Sequence, residues 1–116
     1  MTWTPPPTRT QLLWAAVDFD QTLAESRWTP ENPTYEIGDP IAANVGKLFE
    51  LKDAGYKIVI HSARGWEQYE TVESWLQYHG IPFDKIVLGK LLAQVYCDDR
   101  AVNASADTWL PKAHGI

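Results

Sequence analysis

LLWAAVDFDQT, running from Leu12 to Thr22, is the stretch on which the reading of this chain turns. Its apolar half predicts a short buried strand from about Leu12 to Val17, and its end carries two aspartates, Asp18 and Asp20, with Phe19 between them. Alternate side chains of a strand point the same way, so both carboxylates are expected together just beyond the C-terminal edge. That is where open α/β sheets bind their ligands. Two such charges about 4 Å apart repel by about 4 kcal/mol at an effective dielectric near 20. A proton, a cation or an electrophilic substrate between them relieves that cost.

Working outward, the first ten residues, MTWTPPPTRT, hold three consecutive prolines and predict an extended Pro-rich arm over 1–10, ahead of a single α/β domain over 11–116. From Gln21 to Asp39 no period is visible, and Pro30, Pro33, Gly38 and Pro40 predict a long loop, with Arg27, Trp28 and Tyr35 as candidates to lie over a site and an irregular loop anchored by its aromatics as the alternative. Asp39 before Pro40 reads as a helix start, Ile41, Val45, Leu48 and Phe49 recur at helical spacing, and Gly55 closes the helix. YKIVIH, Tyr56 to His61, is rich in β-branched residues and predicts a second strand that ends at Ser62 and Arg64. A second helix is expected from Trp66 to His79, with Tyr69, Val72 and Leu76 on one face and Gly80 as its stop. A third strand follows from about Lys85 to Leu88, then the turn residues Gly89 and Lys90. A fourth apolar run, Leu91 to Cys97, ends in Asp98, Asp99 and Arg100. Strand, helix, strand, helix, strand, strand is the order of a parallel sheet with crossover helices.

Composition limits the partners. At 116 residues the chain suits one domain with one core. A formal charge of -5 and the lack of a Lys/Arg run argue against non-specific nucleic-acid binding through a basic face. The single cysteine, Cys97, allows no intrachain disulfide and is expected to be a small buried hydrophobe. The N-terminus lacks the apolar core of a secretory leader and no segment is long enough to span a membrane, so a cytoplasmic protein with no membrane partner is the expectation. Three of six tryptophans, Trp3, Trp28 and Trp109, fall in segments read as loops or tails.

Polar groups at the strand ends give the set its chemistry. Asp18 and Asp20 end the first strand, Ser62 the second and Asp98 and Asp99 the last, with Lys90 on the turn before it. In a parallel sheet these ends share one edge. Oxygen donors without a His or Cys cluster favour Mg²⁺ over Zn²⁺. His61 is expected to pack at a strand end, His79 suits a helix C-terminus, and His114 lies in the tail. With the cation and the lysine offsetting phosphate charge, an aspartate can attack phosphorus, and a second, protonated aspartate can serve the leaving group and later the water.

DFDQT at Asp18–Thr22, IVIHSARG at Ile58–Gly65, Lys90, and VYCDDRA at Val95–Ala101 together resemble the four ordered motifs of the haloacid dehalogenase superfamily. The resemblance implies a three-layer, Rossmann-like α/β fold with a parallel sheet. It also implies a Mg²⁺-dependent phosphatase that hydrolyses a phosphate monoester through an aspartyl-phosphate intermediate. Asp18 would be the nucleophile, Asp20 the general acid/base, and Lys90 a bridge between nucleophile and phosphate. Thr22 would support the loop, Ser62 would bind the phosphoryl group, and Arg64 matches an arginine found after the second motif in some phosphatases of the superfamily, including the polynucleotide 3′-phosphatases, where it would touch substrate; a surface salt bridge is the alternative for it. Asp98, with Asp99 sharing its role, would hold Mg²⁺ together with Asp18 and the Asp20 carbonyl.

Gln21 stands where glycine is frequent in those motifs, and Leu91 follows Lys90 where proline often does. The connections are too short for a cap domain, so the chain resembles the capless subgroup, whose open site suits a bulky phosphate ester or is roofed by a partner subunit in a homo-oligomer. Two other readings stand beside the phosphatase: a catalytically silent binding or scaffold protein, and a phosphoacceptor signalling module. In a signalling module the acceptor aspartate ends a strand in mid-chain, where this sequence has Ser62 and Lys90. The motifs address only the phosphoryl group, so the class of phosphorylated substrate stays open at the level of sequence.

Overall fold

A computed structural model describes residues 13–111; the Pro-rich arm over 1–10, Leu12 and His114 lie outside the described residues. Three parallel strands form one sheet in the order β1 (Leu13–Asp18), β2 (Tyr56–His61) and β3 (Lys85–Val87). Helix α1 (Ala42–Asp53) joins β1 to β2, and a 3₁₀ turn at Trp66–Gln68 leads into α2 (Tyr69–Tyr78) before β3. The register sets Asp18 opposite His61 and His61 opposite Val87, so the three strands end level with one another. Chemistry-bearing residues that follow the strands therefore share one edge.

The core forms where the apolar periods said it would. Val17 from β1, Ile58 and Ile60 from β2, and Ile86 from β3 are buried with Leu48 and Leu51 of α1 and Val72 and Leu76 of α2. Phe19 is fully buried and meets Trp75 edge-to-face at 5.2 Å. Burial of each such aliphatic side chain is worth about 1.5–3 kcal/mol, so the sheet edge is held by packing on both sides of it in sequence.

Five expectations are corrected. Helix α1 does not start at Asp39–Pro40. The Asp39 carbonyl accepts from Glu25 N–H and Ile41 N–H donates to the Leu23 carbonyl, so 39–41 runs extended against 23–25 and Ile41 becomes the N-cap without a side-chain cap bond. Phe49, placed on the packed face by its spacing, is 40% exposed.

The fourth strand is not formed: Leu91 to Cys97 carries no strand pairing, and Leu91, Leu92, Val95 and Tyr96 are exposed. Tyr96 instead accepts from Ala93 N–H and donates to the Leu91 carbonyl, closing a local turn that withdraws backbone from a ladder. Cys97 is consequently exposed rather than buried. Trp109, read as part of the tail, joins the core: it is 7% exposed, donates to the Ala104 carbonyl at 3.1 Å, and lies under the Lys47 ammonium at 5.9 Å.

Candidate active site

Asp18 closes β1 with its side chain 42% exposed, and each of its oxygens has a separate partner. Thr22 Oγ1 donates to Oδ2 at 3.0 Å, which the tight turn over 19–24 makes possible: Phe19 O accepts from the N–H groups of Thr22, Leu23 and Ala24. The Lys90 ammonium faces Oδ1 at 3.6 Å. Lys90 reaches it because the turn after β3 is tied to the end of β2, with Gly89 N–H on the Arg64 carbonyl and Lys90 N–H on the Ser62 carbonyl, both at 2.9 Å. Gln21 takes φ 61°, the left-handed conformation that glycine supplies without cost. This accounts for the residue type expected at that turn and shows that the turn forms without it.

Asp20 turns the other way, into a buried network. Arg64 is fully buried and donates Nε to both Asp20 oxygens at 3.0 and 3.1 Å and Nη2 to Oδ1 at 2.8 Å. Its remaining donors reach Gln68 Oε1 at 2.6 Å, Ser26 Oγ at 2.9 Å, and the carbonyls of Thr34 and Glu36 at 2.9 and 3.1 Å. The guanidinium thus pins the long loop to the strand end, and it presents no free N–H to a ligand. Arg64 is therefore a buried ion pair rather than a surface one. Ser62 is also fully buried; its Oγ lies 3.4 Å from Asp20 Oδ2 and accepts from Arg64 N–H at 3.1 Å.

A cavity of about 760 Å³ opens on this edge, and Asp18, Thr22, His61, Lys90 and Asp98 all line it. Asp98 is held by its neighbour: the Arg100 N–H at 2.8 Å and then the guanidinium lower its carboxyl below the ordinary carboxylate value. Asp99 is 93% exposed and meets only Arg100, at 3.7 Å. Among the described residues no group of three or more His, Cys, Asp or Glu side chains is gathered closely enough to hold a metal. Asp18 and Asp98 nevertheless bring hard carboxylate oxygens to one cavity, with no sulfur ligand from the exposed Cys97, so the donor chemistry fits Mg²⁺.

Three participants were not legible in the sequence. His61 lines the cavity, and its imidazole is lowered below 6.5, first by burial and then by Lys90, against an opposing pull from Asp18. Gln68 is 3% exposed as a partner of Arg64, and its only sequence signal is a polar residue four positions on in the first helical turn. Tyr96 lies under the Lys90 ammonium at 4.6 Å.

No family model and no curated protein matches the chain. Among solved structures, a target protein from Vibrio cholerae is 28% identical with a TM-score of 0.64, over 81% of this chain and 85% of that one. A conserved protein from Bacteroides thetaiotaomicron is 26% identical with a TM-score of 0.53, over 79% of each chain. A chain of the Pnkp1/Rnl/Hen1 complex is 25% identical with a TM-score of 0.57, over 78% of this chain but 32% of its own length. These likenesses are consistent with the haloacid dehalogenase-like α/β fold that the ordered motifs resemble.

Proposed function

We propose that the chain is a capless phosphatase of the haloacid dehalogenase type, hydrolysing a phosphate monoester through an aspartyl-phosphate on Asp18. The observation that carries this reading is the division of labour at Asp18: Thr22 fixes one oxygen while the other faces Lys90 at 3.6 Å in an open cavity. An oriented carboxylate beside a cation is a nucleophile positioned for an anionic electrophile. The likeness to a chain of the Pnkp1/Rnl/Hen1 complex supports a phosphatase-like role.

In the first half-reaction an Asp18 oxygen forms a bond to phosphorus, the bond to the ester oxygen breaks, and Asp20 protonates the departing alkoxide. In the second, water attacks phosphorus, Asp20 takes its proton, and the bond to Asp18 breaks to release inorganic phosphate. Lys90 balances the phosphoryl oxygens throughout, while Ser62 and Arg64, both buried and both against the Asp20 carboxyl, position Asp20 rather than binding substrate. Asp18, Asp98 and the Asp20 carbonyl would hold Mg²⁺, with Asp99 beside them, and the bound ion supplies charge neutralisation at the phosphoryl group.

Release of phosphate from an aryl phosphate, with Mg²⁺ and with chelator, tests the reading. Turnover that needs the metal and falls by several orders of magnitude in Asp18→Asn is the expected result. A folded native chain with no turnover on any divalent metal overturns it. One observation favours a second reading, a non-catalytic binding protein: both Asp20 oxygens are committed to Arg64. In that case phosphate esters bind but are released unchanged, and Asp18→Asn binds as the native chain does.

A further inference from the structure

Trp66 is unused by the core and by the chemistry above. Its ring is 57% exposed, although it opens the segment that leads into α2. Two features fix it in place. The ring lies parallel to Tyr69, 9° between planes and 6.4 Å between centroids. Its indole edge rests on Gly89, where a Cβ would stand 3.2 Å from Nε1, and Gly89 also takes φ 76°. Gly89 precedes Lys90, and the backbone bonds from 89 and 90 to Arg64 and Ser62 hold that turn against the end of β2. An exposed aromatic ring is thus mounted on the same short turn as the ammonium that faces Asp18.

A large aromatic surface left open at such a place costs free energy that folding does not recover, at about 25 cal/mol per Å² of apolar area. Every nucleobase has a π-face that recovers it by stacking. We propose that Trp66 is the stacking platform for a nucleobase, so that the substrate is a nucleotide or the phosphorylated terminal nucleotide of a nucleic acid. This rests on the phosphatase reading and names its substrate class.

Charge narrows the choice. A net charge of -5 withholds the many phosphate contacts that tracking along a polymer needs. Recognition is therefore confined to the terminal unit, and a mononucleotide and a chain end present the same chemistry.

The test compares pairs of substrates with and without a base. Adenosine 3′- and 5′-monophosphates and an oligonucleotide with a terminal phosphate are set against ribose 5-phosphate and glycerol phosphate, for the native chain, Trp66→Phe and Trp66→Ala. The ratio of kcat/KM with base to that without should exceed ten in the native chain, fall about tenfold in Trp66→Ala, and be largely kept in Trp66→Phe. A ratio near one in the native chain, or one that Trp66→Ala leaves unmoved, overturns the proposal while leaving the phosphatase standing. If no ester turns over, equilibrium binding of adenosine monophosphate against ribose 5-phosphate decides the stacking question alone. Base-dependent binding lost in Trp66→Ala supports it, and equal binding of both ligands overturns it. Preference for the oligonucleotide over the mononucleotide identifies the chain end as the source of the base; the reverse identifies the free nucleotide.

Discussion

At the scale of single residues, the two aspartates that open the site differ in what surrounds them. Asp18 faces a cavity and a lysine, whereas Asp20 is only 15% exposed and shares three hydrogen bonds with Arg64. Replacing Arg64 by Leu leaves that carboxylate buried without its partner and strips the carbonyls of Thr34 and Glu36 of their donor. The expected loss of stability is about 3–5 kcal/mol, read as a lower urea midpoint at unchanged slope. If Asp20 moves the proton, Asp20→Asn should cost alkyl phosphates about 10²–10⁴-fold in kcat, and an aryl phosphate with a good leaving group much less in its first step. Equal losses for both leaving groups would place the proton elsewhere.

His61 supplies the pH dependence. Burial and Lys90 disfavour its charged form, so the folded state binds a proton less readily than the unfolded chain does. Stability is then full above the ordinary value of 6.5 and declines as pH falls from there through the lowered folded-state value. Thermal melts over that window should show a shallower decline for His61→Gln, and a slope identical to the native chain would remove His61 as the cause.

At the scale of elements, the helices are held by what they bury. Leu76 of α2 is fully buried, while Tyr78 two residues on is 85% exposed. Leu76→Ala should cost about 2–5 kcal/mol and Tyr78→Ala within about 0.5 kcal/mol, measured by chemical denaturation. The turn after β3 is an element in its own right. Gly89 is left-handed and covered by Trp66, so Gly89→Ala should destabilise by about 1–2 kcal/mol from backbone strain alone and shift the Lys90 ammonium from Asp18. A variant as stable as the native chain would mean that the turn relaxes.

Across the whole molecule, order is uneven. The β2 strand is paired on both sides, whereas the segment from Leu91 to Arg100 has few backbone partners and exposes Leu91, Leu92, Val95 and Tyr96. Amide exchange should be slowest over Ile58–Ser62 and fast over 91–100. Adding Mg²⁺ should slow exchange around Asp98 if that residue helps to hold the ion; exchange that Mg²⁺ leaves unchanged there would take Asp98 out of the ligand set. The described residues contain no helix long and apolar enough to cross a membrane.

Sequence by itself determined the local elements and their order. Tyr56–His61 is a strand because β-branched residues pack on a pleated surface, and Asp18 ends β1 because the apolar run stops there. Glycines close both helices where the apolar periods end, for the same local reason. Tertiary structure alone decided which polar groups meet. Arg64 and Asp20 are 44 residues apart, and their pairing depends on a loop whose own residues, Ser26, Thr34 and Glu36, have no period to read. Local pattern also misjudged Leu91–Cys97, whose apolar run suits a strand but whose Tyr96 closes a turn on itself, and Trp109, which only the packed fold could bring back to the core. Periodicity reports which face of an element is apolar; it carries no information about contacts made across long, aperiodic connections, and those contacts shape this site.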